Sequence, residues 1–254
     1  MTFAAYPSLR DRAVLITGGA TGIGADLVRA FAGQAARVAF LDIQDEAAEA
    51  LVAELHGAPH RPVALSCDIT DIEALRAAIV VARAAIGPIS VLVNNAADDR
   101  RHPIDALEPE DWDRAQNINI RPHYFTAQAV HPDMQALGGG SIINFSSIAW
   151  RFGAGDMAAY VTAKAAVTGL TGALARAYGP DGIRVNAIEP GAVMTEKQLR
   201  LWYPTEESVQ AMIDRQCIPR LLVGEEIARA ALFLAADDSR MITKQTIVVD
   251  AGLR

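Results

Sequence analysis

Short runs of β-branched and other apolar residues alternate along the chain with longer, alanine-rich stretches of helical periodicity. Each short run is continuously apolar, which is typical of a strand buried on both faces of a sheet. The runs lie at Ala13–Ile16, Arg37–Leu41, Pro62–Leu65, Ile89–Val93, Ser141–Phe145, Ile183–Ile188 and Thr246–Val249. The helical stretches lie at 22–34, 45–56, 71–86, 106–137, 156–179 and 224–236.

This alternation of strands and helices predicts right-handed crossovers and a parallel sheet with helices on both faces. Thr70-Asp71 and Gly224-Glu225-Glu226 have the features of helix starts, with carboxylates in the first turn. A length of 254 residues fits one α/β domain, so we predict a single domain over residues 1–254.

One segment interrupts the alternation. Residues 192–220, AVMTEKQLRLWYPTEESVQAMIDRQCIPR, form a long insertion between the sixth strand and the helix that follows. Long insertions in compact domains are usually functional, often as binding loops or lids. We therefore predict a substrate lid at about 192–220.

Composition and charge exclude several classes of protein. The formal net charge is −7 and no basic run is longer than Arg100-Arg101, which argues against nucleic acid as a partner. The N-terminus lacks the apolar core of a signal peptide, and no stretch approaches 18 apolar residues, so no membrane span is expected. The five histidines and two cysteines have no metal-site spacing, and Cys67 and Cys217 are interpreted as free thiols of a cytoplasmic protein.

A glycine-rich turn follows the first strand and precedes a helix. Gly18, Gly22 and Gly24 allow a tight turn and a close approach of the backbone to a pyrophosphate at the helix N-terminus. Such loops also occur without a ligand. The second strand ends at Asp42, whose carboxylate is placed to accept hydrogen bonds from the adenosine ribose and to repel a 2′-phosphate. NAD is therefore favoured over NADP, with a solvated turn acid as the alternative for Asp42.

Tyr160 and Lys164 lie one helical turn apart in a chain with only three lysines. Residues at i and i+4 share one helix face, so the ammonium is expected near the phenol oxygen. A phenol titrates near pH ~10 in water, and a neighbouring cation lowers that pKa toward the range in which tyrosine acts as an acid or base. The pair is a candidate for acid–base chemistry.

The motifs together resemble the short-chain dehydrogenase/reductase family, over essentially the whole chain and in the family's order. They are T-G-x-x-x-G-I-G at 17–24, Asn94-Asn95-Ala96, Ser147, Tyr160-x-x-x-Lys164 and Pro190-Gly191. The resemblance implies a Rossmann-type, doubly wound, seven-stranded parallel sheet, an NAD(P) cofactor and a homotetramer. The dinucleotide-binding part would cover about residues 10–150.

The resemblance also implies the catalytic roles. Tyr160 matches the acid/base, and Lys164 matches the residue that lowers its pKa and holds the nicotinamide ribose. Ser147, thirteen residues before Tyr160, matches the serine that orients the substrate oxygen, with Ser146 as the structural neighbour or its one-residue alternative. Asn119 matches the asparagine of the proton relay, with Asn117 as the competing candidate. Cofactor contacts are implied for Gly18, Thr21, Gly22, Ile23, Gly24, Asp42, Asp68, Ile69, Asn95, Tyr160, Lys164, Pro190, Val193 and Thr195.

Other segments resemble a narrower group, the bacterial aldose 1-dehydrogenases that act on pentoses and hexoses. These are YPSL near the N-terminus, FLDI, DRRH and the EKQ…WYPTEE…QC insertion. A sugar pocket also requires charged or amide groups for hydroxyls and often an aromatic face. The substrate candidates are Asp99, His102, Ser147, Trp150, Glu189 and Trp202.

Alternatives remain open for three of these candidates. Glu189 is as well explained by a structural salt bridge, Trp150 by packing under the lid, and His102 by a surface or supporting role. The predicted reaction is oxidation of C1 of an aldose to the aldonolactone by hydride transfer to NAD, with Tyr160 as base. The alternatives are a secondary-alcohol or 3-oxoacyl reductase of the same family and, more remotely, a non-catalytic NAD-binding regulator.

Overall fold

The computed structural model describes residues 3–253. Within that range, seven strands form one parallel sheet in the order β3-β2-β1-β4-β5-β6-β7. The predicted strands are all confirmed, with ends shifted by no more than two residues. The strands are β1 (Ala13–Thr17), β2 (Arg37–Asp42), β3 (Val63–Ser66), β4 (Val91–Asn94), β5 (Gly140–Phe145), β6 (Ile183–Pro190) and β7 (Thr246–Val249). Residues 1, 2 and 254 of the predicted domain lie outside the described residues.

Helices cover both faces of this sheet. They are α1 (Gly22–Gly33), α2 (Asp45–Glu54), α3 (Ile72–Ile86), α4 (Pro109–Asn119), α5 (Arg121–Ala136), α6 (Ala149–Phe152), α7 (Ala158–Tyr178), α8 (Glu196–Leu201), α9 (Glu206–Ile213) and α10 (Gly224–Ala235). From residue 3 to residue 253, no helix combines the length and the hydropathy needed to cross a membrane.

The predicted helix over 106–137 is two helices in the structure. Ile120 leaves the helical conformation with φ −135° and ψ −46°, and it separates α4 from α5. Pro122 provides the physical reason, because its ring has no N–H for the carbonyl four residues earlier and would clash with it. Both predicted helix starts are confirmed: the Asp71 carboxylate accepts from the amides of Glu73 and Ala74, and α10 begins at Gly224.

Two buried apolar layers lie on opposite faces of the sheet. Along β1, Val14 and Ile16 pack into the layer under α1 and α10, whereas Ala13 and Leu15 pack into the layer under α3, α5 and α7. This alternation is the strand's period of two, and it explains why the whole run is apolar.

The direction of winding reverses between β1 and β4. The chain goes from β1 to β2 and β3 on one side, and from β4 to β5, β6 and β7 on the other. Neighbouring loops therefore diverge at the carboxyl ends of β1 and β4, where Thr17 pairs with Asn94. In open α/β sheets a ligand crevice forms at this point.

Candidate active site

A cavity of about 1050 Å³ opens at the carboxyl ends of the strands. One end is lined by the glycine turn after β1 and by the ends of β2 and β3, and the other by Ser147, α7 and the 192–220 segment. The cavity therefore brings together the predicted cofactor residues and three of the four predicted catalytic residues, Ser147, Tyr160 and Lys164.

The glycine turn has no space for side chains at two positions. Gly18 has φ +67°, and a Cβ there would lie 2.7 Å from the Cα of Ala96. A Cβ on Gly24 would lie 1.7 Å from the Gly18 carbonyl oxygen. The turn consequently presents backbone, and the first-turn amides of α1 have no partners within the helix. This surface fits a pyrophosphate.

Asn95 supports the same turn from the end of β4. Its Nδ2 donates to the carbonyls of Thr17, at 3.1 Å, and Gly18, at 2.9 Å, and its backbone amide donates to Thr17 Oγ1. Asn95 also lines the cavity. Its side-chain amide is therefore committed to shaping the glycine turn.

Asp42 is held in one orientation by backbone amides. Its Oδ2 accepts from Ala20 at 2.8 Å, and its Oδ1 accepts from Ile43 at 2.8 Å and Gln44 at 3.1 Å. The carboxylate lies on the cavity wall at the end of β2. A fixed negative charge at this place favours ribose hydroxyls over a 2′-phosphate.

The remaining predicted cofactor residues also line the cavity: Thr21, Ile23, Asp68, Ile69, Pro190, Val193 and Thr195. Asp68 is oriented by the Thr70 amide and hydroxyl. Val193 forms a parallel bridge with Leu222, and the Thr195 side chain caps α8. The bridge joins the start of the 192–220 segment to Leu222, just beyond its end. The Thr195 cap fixes the beginning of α8 within that segment.

Ser147, Tyr160 and Lys164 share the opposite part of the wall. Burial raises the pKa of Tyr160, while a hydrogen bond with Ser147 opposes that rise. Ser146 Oγ donates to the Lys164 carbonyl at 2.6 Å, which assigns Ser146 a structural contact.

Lys164 is buried behind the tyrosine. Its Nζ donates to the Phe145 carbonyl at 2.8 Å and lies 5.7 Å from the centroid of the Tyr160 ring. Burial lowers the pKa of Lys164 to about 7, against the field of Asp99, which raises it. Burial is the largest influence on the pKa of both groups, so a lowering of the Tyr160 pKa by Lys164 stays a prediction.

Asn119 lies at the break between α4 and α5 and is completely buried. Its Nδ2 donates to the carbonyls of Asp98, at 2.9 Å, and Ala115, at 3.0 Å, and its Oδ1 accepts from the Asp98 amide. The side chain is outside the cavity lining and holds the loop after β4. The relay role of Asn119 stays a prediction.

Asp99 is the substrate candidate, besides Ser147, that lines the cavity. Its Oδ1 forms an ion pair with Lys197, and its Oδ2 accepts from Gln198 Nε2 at 2.7 Å. Burial acts to raise the pKa of Asp99, but these two partners hold it below its usual value. Sequence reasoning did not single out Lys197 or Gln198, although Lys197 is one of only three lysines.

His102 and Trp202 are placed outside the cavity lining. His102 borders a small neighbouring space, and its ring nitrogen lies 3.8 Å from Asp111. Arg101 stacks over the Trp202 ring at 3.9 Å and pairs with Asp156 at 3.1 Å. Arg101 thus joins the loop after β4 both to the 192–220 segment and to the short helix before α7.

Glu189 and Trp150 also lie outside the lining, and they contact each other. Trp150 Nε1 donates to Glu189 Oε1 at 2.9 Å, and Arg151 Nε donates to Glu189 Oε2 at 2.5 Å. Glu189 is completely buried. The structure thus has the salt bridge that was the alternative interpretation of Glu189, with Arg151 as a partner that the sequence did not reveal.

Comparison with known proteins agrees with this fold. A family model described as enoyl-(acyl carrier protein) reductase matches residues 18–254. With full-length relatives at 46–50% identity, the chain belongs to the short-chain dehydrogenase/reductase family, and it is an oxidoreductase.

Two relatives and one solved structure are particularly similar. A probable galactose dehydrogenase of Rhizobium meliloti is 50% identical over 98% of this chain and 97% of its own length. The D-xylose 1-dehydrogenase of Caulobacter vibrioides is 46% identical over the whole of both chains. A 7α-hydroxysteroid dehydrogenase, solved with NADH and 7-oxo glycochenodeoxycholic acid, has TM-score 0.91 and 33% identity over 97% of this chain and 96% of its own.

Proposed function

We propose that the protein is an NAD-dependent aldose 1-dehydrogenase that oxidises a pentose or hexose at C1 to the aldonolactone. The observation that carries the proposal is the arrangement of Ser147, Tyr160 and Lys164 on one cavity wall, facing a glycine turn and Asp42. The two sugar dehydrogenases at 50% and 46% identity support an aldose as the substrate.

The residues present fit a dinucleotide. The Cβ-free surface at Gly18 and Gly24 gives room for the pyrophosphate, and the oriented Asp42 carboxylate suits the ribose hydroxyls of NAD. Val193 and Thr195, which line the same cavity, would bind the nicotinamide amide and the phosphates. The chemistry that NAD⁺ supplies when bound is acceptance of a hydride from C1.

The protein's own groups would handle the proton and the orientation. Ser147 holds the oxygen of the anomeric hydroxyl, and Tyr160 removes its proton. Because burial raises the pKa of Tyr160, the reaction needs positive charge beside the phenol. Lys164, 5.7 Å from the ring centroid, provides such a charge when it is protonated.

A polar wall beyond the tyrosine suits a sugar. Asp99 lines the cavity together with Lys197 and Gln198 of α8, so charged and amide groups face the space next to Ser147. Vicinal hydroxyls both donate and accept, and they match this mixture better than a fatty or steroid skeleton would. We propose that the 192–220 segment acts as the substrate lid.

The decisive experiment is a panel of aldoses and secondary alcohols with NAD⁺ and NADP⁺, followed by NADH or NADPH absorbance. We expect the highest kcat/KM with an aldose and NAD⁺. A preference for a secondary alcohol would refute the substrate class, as would faster reduction of a 3-oxoacyl compound in a parallel assay with NADH or NADPH. NAD binding without turnover of any compound would favour a regulator.

We also propose, from the family resemblance, that the chain forms a homotetramer and is located in the cytoplasm. Light scattering after size-exclusion chromatography measures the first, and a monomer would contradict it. Fractionation of the source cells measures the second.

A further inference from the structure

A cluster of three interacting side chains lies beside Ser147. It consists of Glu189 at the end of β6 and of Trp150 and Arg151 on α6. Both carboxylate oxygens of Glu189 are used, one by Trp150 Nε1 at 2.9 Å and the other by Arg151 Nε at 2.5 Å. The Arg151 guanidinium also stacks on the Trp150 ring at 4.6 Å.

This cluster is connected to the cavity through α6. Ala149 and Phe152 line the cavity, whereas Trp150 and Arg151, between them in sequence, contact Glu189. The four residues thus lie on two faces of one short helix. Holding one face against Glu189 fixes the other face as the cavity wall.

The same helix is tied to Ser147. The Ala149 amide donates to Ser147 Oγ at 3.1 Å, so α6 contacts the hydroxyl that orients the substrate oxygen. On either side of Ser147, Ser146 donates to the Ile188 carbonyl and Ile148 to the Pro190 carbonyl. A shift of α6 would therefore move Ser147 relative to Tyr160.

Burial gives the reason for a carboxylate at this position. Glu189 is completely buried, and an ionised group there is stable only with charged or strongly donating partners. Its two partners come from consecutive residues of α6 and arrive at different oxygens. This geometry fixes both the position and the rotation of the helix, as one apolar contact would not.

We propose that Glu189, through Trp150 and Arg151, is a positioning residue that sets the place of Ser147 and of the α6 wall. The inference rests on the proposed dehydrogenase function only for its kinetic readout. It differs from a substrate-binding role, which would place Glu189 against a sugar hydroxyl.

The test is Glu189→Gln, which keeps the shape and an acceptor for Trp150 but removes the charge facing Arg151. The matched control is Asp133→Asn. Asp133 pairs with Arg83 at 2.7 Å, and the side-chain exposures, 33% for Arg83 and 11% for Asp133, are close to the 35% for Arg151 and 0% for Glu189. Asp133 lies outside the cavity lining.

We expect both substitutions to lower Tm, but only Glu189→Gln to lower kcat, by about tenfold, which corresponds to about 1.4 kcal/mol. A small misplacement of a substrate-orienting group has an effect of this size or larger. The Kd for NADH, from fluorescence titration, should stay within about twofold of the wild-type value. Amide hydrogen exchange of residues 148–153 should become faster in Glu189→Gln and not in Asp133→Asn.

Three results would overturn the inference. Equal kcat in the two variants, or unchanged exchange at 148–153, would show a merely structural ion pair. An increase in KM for an aldose at constant kcat would show that Glu189 binds substrate.

If Glu189→Gln does not fold, Trp150→Phe removes one donor only and should lower kcat about threefold. If the wild type oxidises no aldose, the proposed function fails, whereas the exchange measurement still decides the inference.

Discussion

At the scale of single residues, the spacing of Tyr160 and Lys164 correctly predicts that they share one face of α7 and meet at the cavity. The sequence does not reveal that Lys164 donates to the Phe145 carbonyl, because that contact crosses from the helix to β5. Nor does it reveal how strongly burial acts on both groups. The tyrosine and the lysine are each shifted by burial toward their neutral forms.

Replacement of Tyr160 by Phe should reduce kcat about 10³-fold, because proton transfer loses its base while the cavity keeps its shape. NADH binding, measured by fluorescence, should change little. Tyr178→Phe is the matched control, since Tyr178 is half-buried at the far end of the same helix and stacks on His131. Retention of most activity in Tyr160→Phe would remove Tyr160 from the mechanism.

The buried ammonium of Lys164 predicts a pH-dependent stability. Its folded pKa is about 7 and its usual value is 10.5, so between these values the unfolded chain binds the additional proton. Stability therefore rises with pH from about 7 to 10.5, and the cost of the buried charge is fully present only below about pH 7.

Measured as the Tm of wild type minus that of Lys164→Met, the difference should increase between pH 6.5 and pH 9.5. Lys244→Met, at an exposed lysine, should show a constant difference over this range. A constant difference for Lys164→Met as well would mean that Lys164 keeps its usual pKa in the folded chain.

At the scale of elements, the strands are predictable because each has its own local pattern of apolar and polar residues. The division of 106–137 into α4 and α5 was missed, although Pro122 signals it. The contacts of α8 were missed for another reason: Lys197 and Gln198 meet Asp99 across the cavity, almost a hundred residues away in sequence.

Substitution by alanine should have opposite effects on stability at two glycines of α1, one in the glycine turn and one at the end of the helix. Gly24→Ala should abolish NADH binding and lower Tm, because the new Cβ would overlap the Gly18 carbonyl. Gly33→Ala meets no atom within 4 Å among the described residues, and it should raise stability by up to about 1 kcal/mol. NADH binding by Gly24→Ala at the wild-type affinity would contradict the role of the turn.

The ion pair of Asp99 with Lys197 predicts a modest effect on substrate affinity. Lys197→Met should raise KM for the preferred aldose about threefold to fivefold with little change in kcat, because half-exposed ion pairs contribute up to about 1 kcal/mol. Arg76→Met breaks the exposed pair with Glu73 on α3 and serves as control. An unchanged KM would argue against this contact as part of the substrate lid.

At the scale of the whole molecule, Asp42 lies on one side of the point where the winding reverses, and Ser147 and Lys164 lie on the other. Asp42 ends β2, on one side of β1, whereas Ser147 and Lys164 follow or pack on β5, on the other. Glu189, near the end of β6, pairs with Val248 of β7, and its side chain contacts Trp150 and Arg151 of α6. A ligand that fills the cavity contacts both halves of the sheet.

Binding across both halves predicts global stabilisation. NADH at 100 times its Kd should stabilise the protein by about 2.7 kcal/mol, seen as a rise in Tm. NADPH at the same concentration should stabilise it less, because the oriented Asp42 carboxylate repels the 2′-phosphate. Asp42→Asn should reduce the difference between the Tm increases that NADH and NADPH produce. Equal stabilisation of the wild type by both cofactors would refute the preference for NAD.

The sequence by itself determined the parallel α/β fold and the family, and it predicted the glycine turn and the group of Ser147, Tyr160 and Lys164 that line one cavity. These features are coded locally, in apolar runs, helical spacing and short motifs whose backbone requirements are strict. Only the tertiary structure decided which polar side chains face the cavity. In the structure, Glu189 contacts Trp150 and Arg151 outside the cavity lining. Lys197 and Gln198 contact Asp99 at the cavity. The sequence could not show these pairs, because the pairing of distant side chains depends on how strands and loops meet in space.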